Sequence, residues 1–65
     1  MYSLVGIDDN AFVVMGYTSK AMRECGYSEN DIKQYQKLCM SSNYNNLIVR
    51  SMEWIDKCNE IKGEE

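Results

Sequence analysis

Apolar positions recur at helical spacing in three stretches of the chain, with short polar breaks between them. In the first, Ala11, Met15, Met22 and Cys25 follow one another at intervals of four, seven and three, and Phe12 and Val14 broaden the stripe. One face of an amphipathic helix repeats in this way, so the spacing predicts a helix over about 9–25. Gly26 is its expected stop, because glycine takes the left-handed conformation freely, and Tyr27 then folds back onto the last turn. In the second stretch Ile32, Tyr35, Leu38 and Cys39 form the apolar face, and Lys33, Gln34, Gln36 and Lys37 the wet side. The start signal "SEND" puts Ser28 at the cap with Asp31 three residues on, a capping-box-like arrangement that opens a helix over about 29–41.

The polar link "SSNYNN" follows, in which Ser42 or Asn43 caps a third helix over about 44–61. This helix carries two adjoining stripes. Tyr44, Ile48, Ser51, Met52, Ile55 and Cys58 form one; Leu47, Trp54 and Ile61 form the other, at strict sevens. One face is enough for a helix inside a three-helix unit. The second stripe therefore predicts contact beyond the chain, an oligomer interface at Leu47, Trp54 and Ile61.

Ahead of the helices, residues 2–7, "YSLVGI", have β-type composition but cannot build a sheet alone. They are expected as an extended arm, residues 1–8, packed over the helices; the alternative is a strand paired with a copy from another chain. The two acids that follow, Asp8 and Asp9, are expected to cap the first helix, where a carboxylate accepts from free N–H groups. A metal there would need further ligands, and a phosphoacceptor aspartate would need a parallel sheet. Gly16 lies mid-helix at a cost of about 1 kcal/mol against alanine. It is expected to mark close approach of another backbone or of a ligand. The tail 62–65 should fray. The fold class is all-α: a single three-helix domain spanning 1–65 with a short N-terminal arm.

Length sharpens the oligomer expectation. Sixty-five residues bury a core that supplies only about 3–5 kcal/mol, and domains of this size often add a disulfide, a metal or a partner subunit. Cys25, Cys39 and Cys58 cannot all pair within one chain, histidine is absent and no C-x-x-C pair occurs. Self-association is the staple left, so a homo-oligomer is expected. The opening residues lack a basic segment followed by a long apolar run, so no signal peptide is read there, and a reducing, cytoplasmic setting is expected. The net charge of −3 argues against a general nucleic-acid binder. No stretch has the length of a membrane span.

Catalysis is not expected: without histidine the usual general base at neutral pH is missing, and no cysteine has an evident activating partner. No metal or cofactor is expected either. Binding is the better prospect, because five tyrosines and a tryptophan supply rigid contact area with polar tips. Tyr17, Tyr27, Tyr35 and Tyr44 read either as rim filler of a small core or as contacts to a partner. In the second reading Tyr17, Lys20 and Arg23 share one region of the first helix, and Arg50 lies on the third. Duplicated across a two-fold axis, they would suit a symmetric anionic ligand such as a cyclic dinucleotide.

"NAFVVMGYTSKAMRECGYS" followed by "NYNNLIVRSMEWIDKCNE" resembles a group of short helical proteins of bacteriophages and other mobile elements of gut-type bacteria. The likeness runs over about residues 3–60. It rests on Gly6, Asn10–Ala11–Phe12, Met15–Gly16–Tyr17, Ala21–Met22–Arg23, Gly26, Tyr44 and the third-helix pattern. The chain departs from the group at "SSNY", where a "SGDY"-like turn is expected. The resemblance implies a host-cytoplasmic setting and stoichiometric binding. The target would be a host defence protein or a nucleotide signal. The alternative is a structural or regulatory homo-oligomer with no small-molecule ligand.

Overall fold

The computed structural model describes residues 1–63. Three helices follow one another, α1 (Ala11–Glu24), α2 (Glu29–Met40) and α3 (Tyr44–Lys62), with no strand among the described residues. α1 lies chiefly against α3, and α2 packs on both.

The helix boundaries follow from local chemistry. Ser28 Oγ accepts from the Asp31 amide at 3.1 Å, and Asn43 Oδ1 accepts from the Asn46 amide at 2.9 Å. At the start of α1 the cap is Asn10, not Asp8 or Asp9: its Oδ1 accepts from the Phe12 amide at 2.9 Å. Asp8 acts one step earlier, accepting from the Asn10 amide at 2.8 Å and so turning the chain into the cap. At the end of α1 the Gly26 amide donates to Arg23 and the Tyr27 amide to Met22. With Gly26 at φ +94°, this pair of bonds is a Schellman motif. α3 continues to Lys62, past the expected fraying point, and Gly63 closes it at φ +71°. Residues 64 and 65 of the expected tail lie outside the described residues.

The core is Val14, Met15, Ala21, Met22, Ile32, Tyr35, Cys39, Leu47, Ile55 and Cys58. Through it runs a polar thread. Ser51 Oγ donates to the Leu47 carbonyl at 2.7 Å, and the Tyr35 hydroxyl lies 2.6 Å from the same Oγ. Since the Ser51 proton is committed to Leu47, the Tyr35 hydroxyl is the donor between them. Thr18 and Ser19 are buried beside them on α1, and Ser19 Oγ accepts from Gln36 Nε2 at 2.9 Å. Burial pushes the Tyr35 phenol up to about 12.

Two expectations of the apolar pattern are corrected, and within its own chain Gly16 has no close neighbour. Phe12 is 68% exposed and Leu38 55% exposed rather than packed inside. Gly16 is exposed, and a Cβ built on it would meet nothing within 4 Å. The two stripes of α3 are not divided as the spacing suggested. Leu47 joins Ser51, Ile55 and Cys58 on the core face, while Tyr44 and Met52 turn outward and Ile48 is half-buried. A helix at 100° per residue puts Leu47 and Cys58 within about 20° of each other, and Met52 about 120° round from Cys58. Strict sevens drift away from that face.

Candidate functional site

Residues 1–10 form neither helix nor strand, yet they are held closely against α1 and α3. The Tyr2 amide donates to Asn59 Oδ1 at 2.8 Å, and Asn59 Nδ2 donates to the Tyr2 carbonyl at 2.9 Å. One asparagine side chain thus pairs with both backbone groups of Tyr2. The Tyr2 hydroxyl donates to Glu24 at 2.7 Å, and that carboxylate holds the phenol above its usual range. The Ser3 amide donates to the Tyr17 hydroxyl at 3.0 Å, and the Tyr2 and Tyr17 rings meet edge to face at 6.5 Å. The Ile7 amide then donates to the Leu4 carbonyl at 3.2 Å, with Gly6 at φ +83°. This is a type II turn, which requires a residue such as glycine at its third position. The turn is why "YSLVGI" is not a strand.

Between this segment and α3 lies a groove of about 550 Å³. Leu4, Val5 and Ile7 line one side, and Tyr44, Ile48, Met52 and Ile55 the other. Asp8 and Asp9 also line it, as do Asp56 of α3 and Met1, and among the described residues no lysine or arginine does. The adjacent acids that precede the first helix therefore stand beside an apolar cleft. Tyr44 also borders a second hollow of about 230 Å³, with Phe12, Met15 and Met40. The two hollows meet at Tyr44, so the exposed apolar side chains there are neighbours rather than scattered single residues. Contiguous exposed apolar surface marks interaction sites, whereas isolated exposed residues do not.

The residues singled out for an anionic ligand lie elsewhere: neither hollow is lined by Tyr17, Lys20, Arg23 or Arg50. Arg23 spans the α1–α2 turn and grips Glu29 with two nitrogens, at 2.8 and 3.2 Å. That fork holds the Glu29 carboxyl below the usual carboxylate range. Arg50 donates to Glu53 at 3.1 Å. Tyr17 receives the Ser3 amide, and Lys20 is exposed.

Of the residues expected at an oligomer interface, Leu47 is 3% exposed and belongs to the chain's own core. Trp54 is half-buried; the Tyr27 ring meets its edge-to-face at 4.9 Å, and Lys57 Nζ stands 4.7 Å from its ring centroid. Lys57 lies over Trp54, and Glu53 accepts from Arg50. Ile61 is 55% exposed.

Asn59, which anchors the N-terminal segment, was not anticipated. An asparagine beside a buried cysteine late in a helix carries no signal of its own; only the returning chain gives it a role. Met52 was assigned to the core stripe and lines the groove instead.

Burial pushes the Cys39 and Cys58 thiols up, and Cys25 beside Cys58 adds to the second shift. Thiols held in the neutral form are poor nucleophiles. Among the described residues no group of three or more histidines, cysteines or acids is placed to hold a metal ion. Nor is any helix of the described residues long and apolar enough to cross a membrane. Comparison with family models, curated proteins and solved structures gives no match to this chain.

Proposed function

We propose that this chain is a non-enzymatic binding protein whose recognition surface is the groove between α3 and residues 1–9. In this reading the N-terminal residues are an arm that forms one wall of the groove. The observation that carries it is the cleft itself: the exposed Tyr44 and Met52 and the half-buried Ile48 line it from α3, and Leu4, Val5 and Ile7 line it from the N-terminal residues. The resemblance to short phage and mobile-element proteins supplies the setting: a host cytoplasm, and counter-defence by stoichiometric block of a host protein. The other form of that idea, sequestration of a nucleotide signal by Tyr17, Lys20, Arg23 and Arg50, has less support. Both arginines are engaged by carboxylates of their own chain, and neither lines the groove.

Melting the purified protein against cyclic di- and trinucleotides and cyclic ADP-ribose isomers tests this choice. No shift is expected with any of them. A higher melting temperature that Arg23→Ala or Arg50→Ala abolishes would move the assignment to the nucleotide signal.

The second reading is a homo-oligomeric interaction protein with no small-molecule ligand. The exposed Phe12 and Met40 beside the second hollow favour it. Light scattering across a concentration series separates the two: a binding protein of this kind stays at its 7.6 kDa chain mass, and the oligomer does not.

A further inference from the structure

We infer that the groove takes a basic amphipathic helix of a partner protein. This inference rests on the binding function proposed above and names the chemistry of the occupant.

Charge selects the sign of the partner. Asp8, Asp9 and Asp56 line a largely apolar cleft, together with Ser3, Asn59 and Met1, and all three acids are exposed. The Asp8 carboxylate keeps one oxygen on the Asn10 amide, which leaves the other for a partner. Lysine or arginine at the edges of an apolar segment would meet these oxygens in charge-assisted hydrogen bonds. A second copy of the chain seated here two-fold would bring the same three acids against their equivalents, an unfavourable juxtaposition.

Shape selects the helix. The groove follows α3 from Tyr44 to Asn59, about 22 Å at 1.5 Å per residue, the reach of three to four helical turns. With no strand among the described residues, no sheet edge is offered to an extended peptide. A groove that runs along a helix suits an apolar helix face laid into it, its anchors three or four residues apart. Tyr44 and Met52 suit that role: the thioether adapts to the anchor it meets, and the tyrosine gives a rigid wall with a polar tip.

Fluorescence anisotropy with two labelled peptides tests the inference on the full chain. Each is an amphipathic helix of about 14 residues, one alternating leucine with lysine at helical spacing, the other identical but with glutamate for lysine. The lysine peptide should bind in the micromolar range, more weakly at high salt, and the glutamate peptide should not. Substituting Asp8→Asn, Asp9→Asn and Asp56→Asn together keeps the size of each side chain and the acceptor for Asn10. It should weaken binding by about tenfold or more. Met52→Gln should weaken it with an unchanged melting temperature.

Equal binding of both peptides, lost in Met52→Gln, overturns the basic partner while leaving the groove as the binding surface. Lysine-peptide binding that Met52→Gln does not alter places the contact elsewhere, and overturns both this inference and the function it rests on. Binding of neither peptide, with a concentration-dependent molar mass that Met52→Gln abolishes, makes a second copy the occupant and overturns the inference.

Discussion

At the scale of single residues, the polar atoms inside the core are as specific as its methyl groups. Ser51 serves two partners, the Leu47 carbonyl and the Tyr35 hydroxyl. Ser51→Ala removes the acceptor of a buried phenol, leaving the buried Thr18 hydroxyl as its polar neighbour, and is expected to cost about 1–3 kcal/mol, while Tyr35→Phe leaves Ser51 bonded to Leu47 and should cost less, about 1 kcal/mol. Urea unfolding of the two variants checks the order. The same phenol gives a pH dependence. Its value in the folded chain, about 12, lies above its ordinary 10, so the stability it contributes is whole below pH 10 and is lost as pH rises towards 12. Melting temperature should fall through that window, and less steeply in Tyr35→Phe. Gly16 is the converse case. It sits exposed in α1 with open space where a Cβ would go, so Gly16→Ala should raise stability by about 1 kcal/mol. A drop would reinstate a close approach at that glycine.

At the scale of elements, local chemistry was readable and the lateral placement of faces was less so. The starts of α2 and α3 follow from capping side chains that reach only three residues, and the stop at Gly26 follows from its left-handed backbone. The start of α1 lies at Asn10 rather than at Asp8 or Asp9, because the asparagine, too, can accept from the first free amides. Only the Asp8 bond to the Asn10 amide selects Asn10. The α3 stripes were misdivided because apolar residues occupy most of the half-circle from Trp54 round to Met52. Which part faces inward depends on α1 and α2. The groove itself was not readable. It needs the Leu4–Ile7 turn and the Asn59 bonds to Tyr2, and those partners stand 57 positions apart. Asn59→Ala removes both bonds. Hydrogen exchange at the Tyr2 and Ile7 amides should then quicken with helix content unchanged, and unaltered exchange would show that the segment is held by its apolar contacts alone.

At the scale of the molecule, two surfaces were read as functional from sequence, and the structure distributes them differently. Tyr17, Arg23 and Arg50 are occupied within the chain, and Leu47 is internal. Apolar surface remains around Tyr44, Ile48 and Met52, beside three acids. For a domain of this size such a cleft exposes apolar area that the core does not use, which is where a partner adds stability by mass action. The most direct test places the contact. With its methionine methyl groups labelled by carbon-13, the chain is titrated with the lysine–leucine peptide and followed by NMR. The Met52 methyl should shift most, the exposed Met40 methyl little and the buried Met22 methyl hardly at all. A response confined to Met40, or spread evenly over all the methionines, would contradict a binding surface in the groove of α3.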